Sequence, residues 1–101
     1  MHTIITKRQD ALADVCRRFQ VSRLEVFGSA ATDEFGDERS DLDFLVDLGP
    51  ASTRRFDRFF GLQRALSELF DRPVDLVEDG APRNPYFIRR LNESRRLVYA
   101  A

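Results

Sequence analysis

Three aspartates carry the chemistry open to this chain. Asp41 and Asp43 stand one residue apart at the head of the apolar run DLDFLVDL, residues 41–48. Residues i and i+2 of a strand share a face, so the two carboxylates project together and can grip one cation. Without a cation their repulsion raises one of the two pKa values. With Mg2+ both stay ionised, because this ion takes oxygen ligands, commonly one or two carboxylates completed by water and substrate phosphate. Asp75 sits inside a second apolar run, between Val74 and Leu76-Val77. Its flanks predict burial, and a buried carboxylate needs a partner. If the two runs are neighbouring strands, the three carboxylates form a two-metal phosphoryl-transfer site.

Gly28-Ser29 supplies the other half. The pair ends the short run RLEVF, residues 23–27, and opens a short helix predicted over 29–32. Glycine lets backbone approach a ligand closely. A helix N-terminus offers N–H groups and a positive dipole end to a phosphate, and the Ser29 hydroxyl adds a donor. Each piece alone has a plain reading. Gly-Ser is a common turn, Asp41 and Asp43 could be solvated carboxylates at a strand boundary, and Asp75 could pair with an arginine such as Arg72. The ordered combination is far more specific than its parts.

The elements that position these residues are legible in the pattern. Arg8, Leu12, Val15, Cys16 and Phe19, with Ile4 and Ile5 before them, predict one amphipathic helix over 4–19. Residues 23–27 read as a strand with Leu24 and Val26 on one face and Glu25 and Phe27 on the other. Residues 33–40 form a loop. In the second strand Leu42, Phe44, Val46 and Leu48 point one way, and Asp41, Asp43, Leu45 and Asp47 the other. Gly49-Pro50 ends it. A helix follows over 54–70, its apolar stripe read as Phe56, Phe59, Phe60, Leu66, Leu69 and Phe70. A third strand spans 74–78 behind Pro73. Pro85 opens a last helix over about 85–94, and Leu97–Tyr99 closes the chain as an extended piece. The order predicts an α/β fold, a small sheet with helices packed on it, in one domain over 1–101.

Composition narrows the class. Net charge is −1, yet residues 1–53 hold six Lys/Arg against ten Asp/Glu while residues 54–101 hold ten against seven. Such a chain is a poor general nucleic-acid binder, so direct nucleic-acid contact is disfavoured. One cysteine allows no internal disulfide, and Cys16 on the apolar face of its helix reads as a small buried hydrophobe. The N-terminus lacks a signal-peptide h-region and no apolar stretch has membrane-span length, so the expectation is a cytoplasmic protein. His2, near the N-terminus, is given no catalytic or metal role. Arg54, Arg55 and Arg58, and Arg89, Arg90, Arg95 and Arg96, read as solvated, the alternative being contact with an acidic partner or with nucleotide phosphate. Tyr86 and Tyr99 read as packing residues.

On Gly28-Ser29, Asp41-Leu42-Asp43 and Asp75, with NPYF at 84–87 and RLVYA at 96–100, the sequence resembles the minimal nucleotidyltransferases of the DNA polymerase beta superfamily, over essentially its whole length. The resemblance implies a polymerase-beta-type fold with a small mixed sheet. Proteins of this kind are often the antitoxin (MNT) half of an MNT/HEPN toxin–antitoxin pair. It therefore implies transfer of AMP from ATP to a tyrosine hydroxyl of a HEPN ribonuclease toxin, held in a hetero-oligomer. By the same resemblance Asp41, Asp43 and Asp75 are catalytic and hold Mg2+, with two ions expected, while Gly28 and Ser29 position the outer phosphates. Two departures stand out. Eleven residues separate Ser29 from Asp41, one more than is usual, and Thr32-Asp33 replaces the Arg-Gly that members often carry. Two other readings remain: an antitoxin that silences its toxin by binding alone, and a nucleotidyltransferase for small molecules. The second normally needs an additional acceptor domain.

Overall fold

A computed structural model describes residues 3–31 and 41–101, with the Ser29 side chain outside that description. The expectations for His2, Thr32-Asp33, the 33–40 loop and the Ser29 hydroxyl fall outside the described residues. The elements are α1 (Thr3–Thr6), α2 (Gln9–Arg18), β1 (Arg23–Phe27), a 3-10 turn (Gly28–Ala31), β2 (Leu42–Asp47), α3 (Arg55–Phe70), β3 (Val74–Glu78), α4 (Pro85–Ser94) and β4 (Arg96–Ala100). The sheet order is β3-β2-β1-β4. β1 pairs antiparallel with both β2 and β4, and β2 pairs parallel with β3. The expected small mixed sheet is present. The parallel pair follows from α3, since parallel neighbours need a crossover and the 16-residue helix provides it.

Alternation along β2 divides two apolar layers, as its pattern predicts. Leu42, Phe44 and Val46 join Ile5, Leu12, Cys16, Leu62, Leu66 and Phe70 in the larger core. On the other face Leu45 joins Phe27 and Leu91 in a smaller cluster beneath α4. Cys16 is fully buried, and burial pushes its thiol up to about 12, so it is an inert packing residue.

The first helix differs from expectation. It breaks at Lys7-Arg8 and resumes at Gln9. The Thr3-Ile4-Ile5-Thr6 run is β-branched, and Thr6 Oγ1 donates to the Thr3 carbonyl at 3.2 Å. Both features favour a single turn over a continuous helix. Phe19 becomes the C-cap, and Gln20 takes the left-handed conformation at φ 57.

The stripe on α3 also differs. Its buried residues are Arg58, Leu62, Ala65, Leu66 and Phe70, whereas Phe56 is 75% exposed and Phe60 49%. Arg58 is the larger correction, because it is buried rather than solvated. Its guanidinium donates to the carbonyls of Phe19 (3.0 Å), Gln20 (2.8 Å), Leu48 (2.8 Å) and Ala51 (3.2 Å). It thereby satisfies the carbonyls at the end of α2, where a helix terminus leaves them orphaned and carries partial negative charge. It also ties that end to the turn leaving β2. Arg55 is half-buried and ion-paired with Glu78. Arg95 is also engaged rather than solvated: it forks onto Glu25 with two hydrogen bonds of 2.7 Å. Among the described residues no helix is long and apolar enough to cross a membrane.

Candidate active site

Register assembles the site. Phe27 of β1 lies opposite Asp43 of β2, and Asp43 lies beside Asp75 of β3. Because Cα partners share a face, both carboxylates project to the side of the sheet that carries α4. The third strand is thus a neighbour of the second, as the two-run argument requires. Asp75, however, is exposed rather than buried. β3 is an edge strand, and its flanking Val74 and Leu76 turn to the opposite, larger core. Asp41 is exposed at the mouth of β2, and Asp43 is half-buried between its two acidic neighbours.

Asp43 feels this arrangement most. Burial first, then the charge of Asp75 and a hydrogen bond shared with it, then the charge of Asp41, push its carboxyl up to about 6. An acid so placed is short of positive charge. Among the described residues the donors there are hard carboxylate oxygens, with no histidine or thiolate beside them, which suits Mg2+ rather than a softer ion. Among the described residues no three potential ligands are gathered as a ready-made metal cluster. Asp43 and Asp75 converge, while Asp41 stands further out and contributes field.

The turn after β1 is a single 3-10 turn. Gly28 adopts φ +73, and a β-carbon there would sit 2.7 Å from Asp43 Oδ2. Glycine is required here twice, by conformation and by contact. The Gly28 N–H is not free for a phosphate, as a helix-terminus reading would have it: it donates to Ser94 Oγ at 3.0 Å. Ser94 Oγ in turn donates to the Arg90 carbonyl at 3.3 Å.

The carboxylates open into a cleft of about 740 Å³ between the sheet and α4. Asp43, Asp75, Leu76 and Val77 line its floor, Phe27 and Gly28 one end, and Phe87, Arg90, Leu91, Glu93 and Ser94 the α4 wall. Gln63 borders it from α3 and donates to the Val74 carbonyl at 2.9 Å, which steadies the mouth of β3. Sequence reasoning predicts the helix over 85–94 but misses this wall. The signal was available: 87, 90, 91 and 94 stand at i, i+3, i+4 and i+7, one helical face. Only the pairing of that face with β1 and β2 shows that it borders the carboxylates.

At the far end of the same face, Glu25 is 8% exposed and held by Arg95. Arg23 reaches Glu25 at 3.2 Å and Asp79 at 3.2 Å. The hydrogen bonds from Arg95 hold the Glu25 carboxyl below its ordinary range, against the opposing effect of burial. This network fastens the end of α4 to the sheet, and so fixes the wall against the floor.

A family model described as the nucleotidyltransferase domain matches residues 9–98. A Methanocaldococcus jannaschii protein, named as a candidate protein adenylyltransferase, is 38% identical over 82 residues, 81% of this chain and 79% of that protein. The solved structure of a candidate minimal nucleotidyltransferase superposes with a TM-score of 0.72 at 28% identity, covering 95% of each chain. A chain of the complex between a tri-AMPylated Shewanella oneidensis HEPN toxin and its MNT antitoxin superposes with a TM-score of 0.65 at 14% identity. That match covers 96% of this chain and 73% of the other, and at this identity it speaks for the fold alone.

Proposed function

Because the chain belongs to the nucleotidyltransferase domain family and is a nucleotidyltransferase, we propose that it transfers AMP from ATP, with Mg2+, to a tyrosine hydroxyl of a HEPN-type toxin and so acts as the antitoxin of that toxin. The observation that carries this reading is the Gly28 turn, Asp43 and Asp75 set side by side in one cleft. The name of the M. jannaschii relative supports a protein as acceptor, and the AMPylated toxin complex supports its class. The same reading puts the protein in the cytoplasm, bound to its toxin in a hetero-oligomer.

In this mechanism the acceptor oxygen attacks the α-phosphorus of ATP. The bond from that phosphorus to the bridging oxygen of the β-phosphate breaks, and pyrophosphate leaves. Bound Mg2+ supplies charge neutralisation on the phosphates. The residues that would hold it are Asp41, Asp43 and Asp75. Asp75, exposed at the sheet edge, is also the carboxylate an incoming hydroxyl meets first, and it takes the proton as the hydroxyl attacks. Gly28 lets the turn lie close against Asp43, so that turn and carboxylate meet the phosphates together, and Ser29 follows it in the turn. Positioning and charge do most of the work, as in other phosphoryl transfers.

The test is co-expression with the product of the adjacent gene and intact-mass measurement of both proteins, with Asp43→Asn as control. A partner heavier by whole AMP units, with the wild type only, is the expected result. An unmodified partner that still co-purifies would replace this reading with neutralisation by binding alone. No co-purification together with nucleotidyl transfer to a small hydroxylated compound would move the acceptor class.

A further inference from the structure

The α4 wall carries two side chains that neither fold nor carboxylate chemistry accounts for. Phe87 lies on the cleft and is 38% exposed, although it shares a helical face with the buried Leu91. Its ring meets Phe27 edge to face, with centroids 6.0 Å apart at 88°, so it is held in place while part of its surface stays open. Arg90 stands three residues on, in a row that otherwise packs against the sheet. Among the described residues its guanidinium has no hydrogen bond or ion pair, whereas the neighbouring Arg89 pairs with Glu93 at 3.4 Å. The other charged residues lining the cleft, Asp43, Asp75 and Glu93, are all acidic.

The order along the helix matters. Ser94 accepts from the Gly28 N–H and so marks the phosphate end. Phe87 lies seven residues earlier, about 10 Å along the helix axis. Arg90 falls between them. An aromatic platform, a free cation and a polar cap thus follow one another in the order of a base, its phosphates and the turn that receives them. An exposed apolar surface beside convergent polar groups is the usual make-up of a small-molecule site.

We infer that α4 is the nucleotide-reading wall of this enzyme: Phe87 stacks on the adenine and Arg90 contacts the phosphate chain. The inference rests on the proposed nucleotidyl transfer but can be tested without it. The experiment is direct binding, in Mg2+, of two probes to the protein: ATP and inorganic tripolyphosphate, which has the charge but no base. Wild type is expected to bind both. Phe87→Ala is expected to weaken ATP about tenfold, in the range of base–aromatic stacking, and to leave tripolyphosphate unchanged. Phe87→Leu, which keeps apolar packing against Phe27 but loses the planar face, should do the same. Arg90→Gln should weaken both probes by a similar factor and flatten their salt dependence. Equal ATP affinity in wild type and both Phe87 variants would overturn the assignment, as would an equal loss for both probes. If wild type binds neither probe, the proposed function fails and the inference with it. If wild type binds and only the Phe87 prediction fails, the proposed function stands and the wall reading does not.

Discussion

Gly28 and Asp43 occupy space that cannot hold one more carbon: a β-carbon on Gly28 would lie 2.7 Å from Asp43 Oδ2. The contact links the two halves of the site, the turn and the carboxylates, and makes their spacing a property of one missing side chain. The backbone adds its own demand through φ +73. Gly28→Ala should therefore cost about 1–2 kcal/mol of stability from the left-handed conformation. It should also cost far more in AMP transfer than a loss of that size explains, because Asp43 must move. Urea denaturation and a transfer assay on the same preparation would check this. Activity falling only in proportion to the folded fraction would refute the coupling.

The metal-free protein should be less stable at neutral pH than its Asp43→Asn variant. Asp43 titrates near 6 in the fold against an ordinary 3.8. The folded state therefore binds the proton more tightly, and stability falls as pH rises from about 4 through about 6. At full weight that shift is worth about 3 kcal/mol, and solvent screening of a half-buried carboxyl reduces it to about 1–2 kcal/mol. The variant should be more stable by that amount at pH 8 in a chelator, and no more stable near pH 4. Added Mg2+ should stabilise wild type and leave the variant unmoved. Thermal melts across this pH range are the measurement.

Glu25 should behave with the opposite sign. Its carboxyl is held low by Arg95, so the stability it confers is present above the unfolded value of 4.5 and is lost as pH falls below it. Glu25→Gln should cost about 2–3 kcal/mol at pH 7, somewhat under the cost of breaking a fully buried pair, since Arg95 is partly exposed. The cost should shrink at pH 3.5. A urea series at both values would show it, and a penalty unchanged at low pH would exclude the ionic account.

Arg58→Met should be among the most damaging single substitutions outside the cleft. It would strip the carbonyls of Phe19, Gln20 and Leu48 of a donor at 3.0 Å or less, and leave the Ala51 carbonyl to Arg55 alone. Each buried acceptor left unpaired costs about 1 kcal/mol or more. Arg58→Lys keeps the charge but cannot fork onto carbonyls from two segments, so it should recover less than half of the loss. Equilibrium denaturation of the two variants side by side decides the point.

Much of this was legible in the sequence, and the gaps have physical causes. The alternation of residues 41–48 identified both faces of β2 correctly, because a strand with Leu42, Phe44, Val46 and Leu48 on one face and its aspartates on the other admits one register. Pro73, Pro85 and Gly49 marked element ends for local reasons, and those ends held. Asp75 was misjudged as buried, since exposure there depends on β3 being an edge strand, which is a property of sheet order. Arg58 and Arg95 read as solvated because arginine usually is. Their partners include carbonyls and a glutamate that lie 38, 39 and 70 residues away in sequence. Phe56 and Phe60 fitted a helical period but fell on its outer side. Ser94 left no local signal, because its partner is the Gly28 backbone, 66 residues distant.

The parallel pairing of Asp43 with Asp75 has a consequence for how this chain can vary. The two carboxylates meet only because the crossover between β2 and β3 delivers β3 in one register. Side chains alternate with period two, so a shift of β3 by a single residue would carry Asp75 through the sheet into the apolar layer beneath α3 and offer Val74 or Leu76 in its place. No local adjustment repairs that. Insertions and deletions between Leu48 and Pro73 are therefore filtered by whether the surrounding turns can absorb them before β3 begins. The crossover serves as the gauge that sets the distance between the two acids, although none of its residues needs to touch the substrate.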